Sequence, residues 1–470
     1  MRVSKLFKDQ KILNNHVVSK ICEYSYECIL NSVLFIKSQN IDYINEAIKL
    51  GCKTIVSEKV ISVSEDVNLI IVKNVSKSLS KVLYLFNKKI IEKFKVIMVT
   101  GTNGKTSTTT YLYNYLRLLE KKVLLVGSNG IMMDGLVFPT NNTTPSISMI
   151  YNYVSKFYQN NKILNKLSNE LYLIIECSSQ GIRGGRVRGI KADVVLFTNI
   201  TKDHLDFHKN ESDYVFSKAL LFHNLKNNSL VFINKENCYY DLLESICPND
   251  VISYGVQSDI SYNIIGCNLS GSIFMLDDEL YQTKVIGDYQ IENITAAYAI
   301  LKSLKINLNR FKEYILNLTN VDGRFNYFNI NNRHIIIDYG HTYNACVRTI
   351  EFIKKNVSRN INLVIGCGGN RDRSKRSLIG EYVVKNTKHV VFTEDNNRDE
   401  SFKDIIKDIT SKIIGERYLV IENRYEAIKF IIETSRENDY ILIMGKGIEK
   451  TNILGTMYTD YEMVDKIIHD

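Results

Sequence analysis

The sequence has no uninterrupted apolar run approaching the roughly 18 residues of a membrane-spanning helix, which argues against an integral helical membrane protein. Its start, MRVSKLFKDQK, lacks the apolar core of a signal peptide, so a cytoplasmic protein is expected. The nine cysteines are odd in number and include no CxxC pair, which disfavours a disulfide scaffold and suits reduced thiols. Only three prolines occur beside abundant Lys, Asn and Ile, a bias that reflects an AT-rich gene and carries no functional information. No basic stripe is present. The net charge of +9 is spread along the chain, which speaks against a nucleic-acid reader and for anionic small substrates.

What is present is a chain of 470 residues, 45% apolar and 24% charged, too long for one core and typical of a multidomain globular protein. It is organised around Lys95–Thr106, KVIMVTGTNGKT. The apolar run Val96–Val99 stops at Thr100-Gly101-Thr102-Asn103-Gly104-Lys105-Thr106, and Tyr111, Tyr115, Leu116 and Leu119 follow at helical spacing. Strand, glycine loop and helix together aim backbone N–H groups and a helix N-terminus at a phosphate. Lys105 can follow the outer phosphates, and the Thr106 hydroxyl can sit on magnesium. The strict pattern asks for glycine where this chain has Val99, and the bare fragment also fits an ordinary strand-to-helix turn. A GTPase is disfavoured: the nearest approach to its Asn-Lys-x-Asp guanine motif, Asn234-Lys235-Glu236-Asn237, lacks the Asp.

Residues 1–92 read as a small α/β unit, with Ile41, Ile44, Ala47 and Ile48 on one helical face and a strand at Lys53–Val56. Leu79, Val82, Leu83 and Phe86 mark a further helix. From residue 93, the runs KVIMVTG, KVLLVGSNG, LYLIIECSS and ADVVLFTNI each end in polar or glycine clusters, the pattern of a parallel sheet covered on both faces. Ligands of such sheets collect at the carboxyl ends of the strands, so Glu176, Ser178, Asn199 and the loop Asp203-His204-Leu205-Asp206 are expected beside Lys105. A carboxylate such as Glu176 at a buried strand end needs a partner or a metal. His204 reads either as a hydrogen-bonded structural histidine or as a magnesium ligand. Lys218, in a helix expected over Tyr214–Phe222, would ordinarily be a solvated surface lysine. From about Arg324, HIIIDYG, INLVIGCGGNRDR, HVVFTEDNNR and DYILIMGKGIEK repeat the logic, predicting a second nucleotide-fold-like sheet that presents Arg371, Arg398 and Glu449. The fold class is therefore α/β in three domains: 1–92, a central ATPase-like domain over 93–323, and a Rossmann-like domain over 324–470.

In order along the chain, TGTNGKT, NTTP, ECSSQGIRGGRV, FTNITKDHLDFH, SKALLF, DGRF, DYGHT, GCGGNRDRSKR, DNNR and GKGIE resemble the motifs of the Mur ligase family, ATP-dependent amide-forming enzymes of peptidoglycan precursor synthesis. The resemblance implies that Gly101, Thr102, Asn103, Gly104, Lys105, Thr106, Ser107, Asn293, Arg324 and Asp338 contact ATP. It implies two magnesium ions, with Thr106 and Glu176 on one, His204 on the other, and Lys218 carbamylated into a further ligand. Asn142, Thr143, Thr144, Ser178 and Arg186, with Ser25 as the nearest uridine-side candidate, would contact a UDP-muramoyl dipeptide acceptor. Arg371, Asp395, Asn396, Arg398, Gly445 and Glu449 would contact the incoming amino acid. The implied reaction is ATP-driven addition of a third amino acid to UDP-N-acetylmuramoyl-L-alanyl-D-glutamate by a monomer, with no nucleic-acid or membrane partner.

The chain departs from the family pattern at Gln180, Gly184, Asp322, Tyr343-Asn344-Ala345, Asn397 and Ile448, which leaves the ATP machinery intact and the acceptor open. L-lysine as the added amine, or a folate, polyglutamate or specialised-metabolite acceptor, are the competing readings. Arg371 and Arg398 favour meso-diaminopimelate, whose far carboxylate a guanidinium can grip in a forked pair. A buried, unpaired Arg398 would reject lysine by several kcal/mol.

Overall fold

The computed structural model of the protein describes all residues except 9, 38–39, 164–169, 205, 331, 416, 454 and 470. Leu205, named above as part of a strand-end loop, therefore lies outside the described residues. Three main sheets form. The first holds four parallel strands in chain order: Ile21–Cys22, Ser32–Phe35, Cys52–Ser57 and Asn68–Ile71. Its helix Ile41–Lys49 starts where the Asn40 side chain accepts from the Asp42 and Tyr43 N–H groups, an N-cap that satisfies two of the orphan donors. Ile44 and Ala47 are buried as the periodicity predicts, but Ile41, in the first turn, is half exposed.

The second sheet has eleven strands, and the expectation of a parallel sheet holds only for its middle. Phe94–Thr100, Leu171–Cys177 and Lys122–Gly127 pair in parallel, with Leu171–Cys177 between the other two. Antiparallel hairpins extend it: Gly130–Met133 with Leu136–Phe138, and Ile260–Asn268 with Gly271–Leu276 and Glu279–Thr283. Their turns explain the change. Asp134-Gly135 and Asp277-Asp278 all have positive φ, the backbone of tight hairpin loops that return the chain at once instead of through a helix.

The third sheet runs Asn326–Ile330, Arg333–Asp338, Tyr440–Met444, Ile361–Ile365, His389–Phe392 and Leu419–Val420, antiparallel at the first pair and parallel beyond. Alternate residues feed opposite cores. Ile336, Leu363, Ile365, Leu442 and Met444 pack on one face, while Ile335, Ile337, Val364, Ile441 and Ile443 pack on the other. Such a sheet, buried on both sides, requires the continuous apolar runs seen in the sequence.

The chain resolves into two compact units. One comprises 1–100, 116–195 and 220–229; the other comprises 101–115, 196–219 and 230–470. The helix expected over Tyr214–Phe222 is in fact α-helical over Glu211–Ala219, followed by a 3-10 turn at Leu220–Asn224. Asn210 sets its start by accepting from the Asp213 N–H at 2.9 Å, with Glu211 and Asp213 complementing the helix dipole.

Candidate active site

In the first unit the site grows from the strand Leu171–Cys177. Its ladder with Phe94–Thr100 pairs Glu176 with Val99, the residue two before the phosphate loop. Glu176 is 1% exposed, so its carboxylate must be matched by donors. Ser128 supplies two, from its N–H and its hydroxyl, each at 3.1 Å. The Ser128 hydroxyl also meets Thr143 Oγ1 at 3.0 Å. Thr144 Oγ1 donates to the Glu176 carbonyl at 2.8 Å and accepts from the Ser178 N–H at 2.9 Å. Ser178 in turn caps the short helix Ser179–Arg183, and Arg186 Nη1 donates to the Thr144 carbonyl at 2.8 Å. Thr143, Thr144, Ser178 and Arg186 thus gather at one strand end with Glu176. Asn142 is exposed beside them. Ser25 is buried elsewhere in this unit with its hydroxyl on Glu46; it is Glu23 that reaches this segment, accepting from the Ser148 N–H at 3.2 Å.

In the second unit the phosphate loop is braced from behind. Asn199 accepts from the Thr102 N–H at 2.6 Å through its carbonyl and from the Asn103 N–H at 3.0 Å through its side chain. Thr198 donates to the Asn103 carbonyl at 2.6 Å. Two glycines are obligatory: φ is +148° at Gly101 and +84° at Gly104, where a Cβ would lie 1.8 Å from Thr198 Oγ1 and 2.2 Å from Asn293 Oδ1. Asn293 therefore rests on the loop. Lys105 Nζ donates to the Gly101 and Thr102 carbonyls at 2.9 and 2.8 Å. Lys218 is 1% exposed, contrary to the solvated surface lysine its helix alone suggests, and donates to the same Gly101 carbonyl at 2.7 Å. Thr106 and Ser107 are buried at the start of the helix Lys105–Leu118, and Arg324 Nη2 donates to Thr106 Oγ1 at 3.2 Å.

His204 sits nearby at φ +56°, a strained conformation for a residue with a side chain. Burial pushes its pKa down to about 4 against the pull of Asp203, so the imidazole is neutral near pH 7 and can act as a ligand. Burial also pushes His341 down to about 3. Burial by itself would raise Asp203, but Lys375, His204 and His341 hold it well below the usual carboxylate range. Its oxygens lie 3.1 Å from Lys375 Nζ, 3.4 Å from His204 Nε2 and 4.0 Å from His341 Nε2.

At the strand ends of the third sheet, Asp338 accepts from the Phe325 and Gly340 N–H groups, both at 2.7 Å, and burial raises its pKa. Gly445, at φ +111°, donates to the Asp338 carbonyl and lies against Asp395. Asn396 Nδ2 donates to Glu449 Oε2 at 2.6 Å, and Lys446 Nζ donates to Asn396 Oδ1 at 3.3 Å. Arg371 approaches Asp206 at 4.0 Å. Arg398 departs from expectation: it is exposed, and its Nη1 bonds the Gly369 and Asn396 carbonyls at 2.8 and 3.1 Å. A guanidinium in contact with water carries no large penalty when unpaired, so the selectivity of several kcal/mol expected from it does not hold.

Reading the sequence by motif assigned no role to Ser128, Asp203, Tyr339, Lys375 or Lys446. Each lies within or beside a strand-end cluster, so position was a signal; the side-chain partners that give each a task were not.

The donor chemistry suits magnesium. In the second unit Thr106 offers oxygen and His204 a neutral nitrogen, while Lys218 as an ammonium offers none; in the first, Glu176 offers a carboxylate. Among the described residues no three His, Cys, Asp or Glu side chains could hold an ion by themselves. Magnesium is held by one or two carboxylates and completes its shell with substrate phosphates, and the Glu176 carboxylate is a ligand of that kind.

Residues 99–301 match the Mur ligase middle domain family, and residues 323–447 match the Mur ligase, glutamate ligase domain family. A UDP-N-acetylmuramoyl-L-alanyl-D-glutamate--2,6-diaminopimelate ligase of Geobacillus kaustophilus is 30% identical over 436 residues, 90% of this chain and 87% of the relative. Its counterpart from Aquifex aeolicus is 32% identical over 437 residues, 91% of this chain and 88% of the relative. A solved ligase of that name superposes with a TM-score of 0.67 at 22% identity, covering 100% of this chain and 99% of the other. The MurF ligase of Thermotoga maritima in complex with ADP gives 0.65 at 18% identity, over 91% and 94% of the two chains; both likenesses bear on fold. The chain belongs to the Mur ligase family and is an ATP-dependent, ADP-forming ligase. No helix among the described residues is long and apolar enough to cross a membrane.

Proposed function

We propose that this ligase joins meso-diaminopimelate to UDP-N-acetylmuramoyl-L-alanyl-D-glutamate, in the cytoplasm and as a monomer, with domains over 1–92, 93–323 and 324–470. The observation that carries the proposal is the cluster of Asp395, Asn396, Arg398, Gly445 and Glu449 beyond the ends of the two strands that flank Ile361–Ile365, in a chain about 30% identical along nine-tenths of its length to ligases named for that reaction. Glu449 offers a carboxylate to an amino group, and Arg398, exposed, offers a forked donor to a carboxylate.

The acceptor carboxylate attacks the γ-phosphorus of ATP, ADP departs, and an acyl phosphate results. The amine lone pair then adds to the carbonyl carbon, phosphate leaves, and the amine gives up a proton. The glycine loop and Lys105 bind and orient the phosphates, Asn293 and Arg324 fix the loop, and Asp338 holds the nucleotide side. Thr143, Thr144, Ser178 and Arg186, with Asn142 and Ser25, form the acceptor side, and Arg371 and Asp395 complete the amino-acid side. Thr106, Glu176, His204 and Lys218 would hold magnesium, which supplies positive charge to the phosphates. Lys218 would do this as a carbamate, formed when its free amine adds CO2 and releases a proton, which leaves one N–H on the nitrogen. Closing of domain 324–470 over the site would keep water from the acyl phosphate.

Phosphate release with the muramoyl dipeptide, ATP and a panel of meso-diaminopimelate, L-lysine and L-ornithine tests the proposal. Turnover with meso-diaminopimelate at least ten times that with lysine supports it. Preference for lysine overturns the choice of amine, and no turnover with this acceptor overturns the acceptor.

A further inference from the structure

Tyr339 makes two contacts that point in different functional directions. Its hydroxyl donates to Glu449 Oε1 at 2.9 Å. Its ring lies under the Arg324 guanidinium, 4.2 Å from the centroid, while Arg324 Nη2 reaches Thr106 Oγ1 in the phosphate loop. From that loop a continuous set of contacts therefore runs Thr106, Arg324, Tyr339, Glu449, Asn396, Lys446. Each link is a named hydrogen bond or a cation–π contact.

The tyrosine itself is held from several sides. Its N–H donates to the Gly323 carbonyl at 2.8 Å, and its ring packs edge-on against His341 at 4.8 Å. Gly447 approaches so closely that a Cβ there would lie 3.1 Å from Tyr339 Cβ. Burial and the neighbouring Glu449 raise its pKa, so the phenol stays protonated and remains a donor. Glu449 has both oxygens engaged, one by the Tyr339 phenol and one by the Asn396 amide. The amide is oriented in turn because Lys446 donates to its oxygen. The orientation of this carboxylate is thus fixed by hydrogen bonding, and the phenol is the link that also touches the nucleotide side.

We propose that Tyr339 is a positioning residue serving both substrates. Its hydroxyl orients Glu449 for the amino group of the incoming amino acid, and its ring holds Arg324 against the phosphate loop. This rests on the assignment of Glu449 to the amino-acid pocket and Arg324 to the ATP side. The two halves separate by substitution. Tyr339→Phe removes the hydroxyl and keeps the ring; Tyr339→Leu removes both.

The test is steady-state kinetics and thermal unfolding of the full chain. The amine is whichever the wild type uses best among meso-diaminopimelate, L-lysine, L-ornithine and L-alanine, so a wrong identity for the amine is detected by the wild type alone. Nucleotide affinity is read separately by calorimetric binding of ADP. For Tyr339→Phe the expected result is a KM for the amine raised about tenfold, the scale of one lost hydrogen bond to a charged group, with ADP affinity unchanged. For Tyr339→Leu the same loss should be joined by ADP binding weakened about fivefold, the scale of a partly desolvated cation–π contact. Glu449→Gln should raise the amine KM, and combining it with Tyr339→Phe should add little. An unchanged amine KM in Tyr339→Phe overturns the orienting role. Equal ADP affinity in Tyr339→Leu overturns the link to Arg324. A fall in melting temperature with both constants unchanged makes the residue purely structural and overturns the proposal.

Discussion

Gly127→Ala should damage this enzyme through a residue that the glycine does not resemble chemically, Glu176. A Cβ at position 127 would lie 2.1 Å from Glu176 Oε1, 2.6 Å from its Cδ and 2.9 Å from its Cγ. The carboxylate would have to retreat by more than an ångström to reach ordinary contact, and Glu176, at 1% exposure, has little room to do so. Retreat breaks the two 3.1 Å bonds from the Ser128 N–H and hydroxyl. A hydrogen bond to a charged group contributes about 1.5–3 kcal/mol, so losing both costs about 3–6 kcal/mol. Replacing glycine in ordinary backbone returns about 0.4–1 kcal/mol from the unfolded chain. The net expectation is a loss of about 2–5.5 kcal/mol, against about 1.5–3 kcal/mol for Ser128→Ala, which removes the hydroxyl alone. Urea unfolding of the whole chain reads the stability, and phosphate release reads the activity, which should fall at least tenfold because Glu176 is displaced. A variant with the wild-type urea midpoint and wild-type turnover would refute this account of how Glu176 is held.

Arg424 and Asp460 form a fully buried ion pair that also anchors the Glu394 and Met444 carbonyls. Arg424→Met should therefore cost about 3–5 kcal/mol in unfolding experiments, and adding Asp460→Leu should recover much of it. Arg398→Ala should reduce the preference for meso-diaminopimelate over lysine by about tenfold or less, since the side chain is exposed; a hundredfold loss in competition assays would show that it is desolvated on binding. Glu400 is held down to about 2 by its hydrogen bonds to Arg376, and Arg373 with Arg376 lowers Asp408. Carboxylates depressed in the folded state stabilise it fully above about pH 4.5, so stability should fall from there towards pH 2. The acid limb of urea midpoints should flatten in Glu400→Gln.

Much of the fold was legible because its strands are buried on both faces. Runs such as LYLIIEC and YILIM admit no other reading once helices alternate with them, and the clusters that end them mark the site. The hairpins at 130–138 and 260–283 were not legible as sheet, because residues such as Ile265, Ile273 and Leu280 are exposed and blur the alternation. Motifs named the candidate site residues, but not their accessibility. The helix around Lys218 by itself suggested a surface lysine and the strand end a buried Arg398, whereas Lys218 is buried and Arg398 exposed. Burial depends on what packs from distant segments, as when the Gly101 carbonyl, 117 residues away, accepts from Lys218 Nζ at 2.7 Å, and no local pattern reports that. Ser128 was likewise unreadable, since its partner Glu176 is 48 residues away.

The central claim, ligation of meso-diaminopimelate to a UDP-muramoyl dipeptide, is tested most directly by mass spectrometry of the product. Purified enzyme is incubated with ATP, magnesium, bicarbonate, UDP-N-acetylmuramoyl-L-alanyl-D-glutamate and equal amounts of meso-diaminopimelate and L-lysine. The account predicts one ADP and one phosphate per amide formed, a tripeptide product carrying diaminopimelate in at least tenfold excess over lysine, and no product from Lys105→Ala. A predominantly lysine-containing tripeptide, or ATP hydrolysis without any tripeptide, would contradict it.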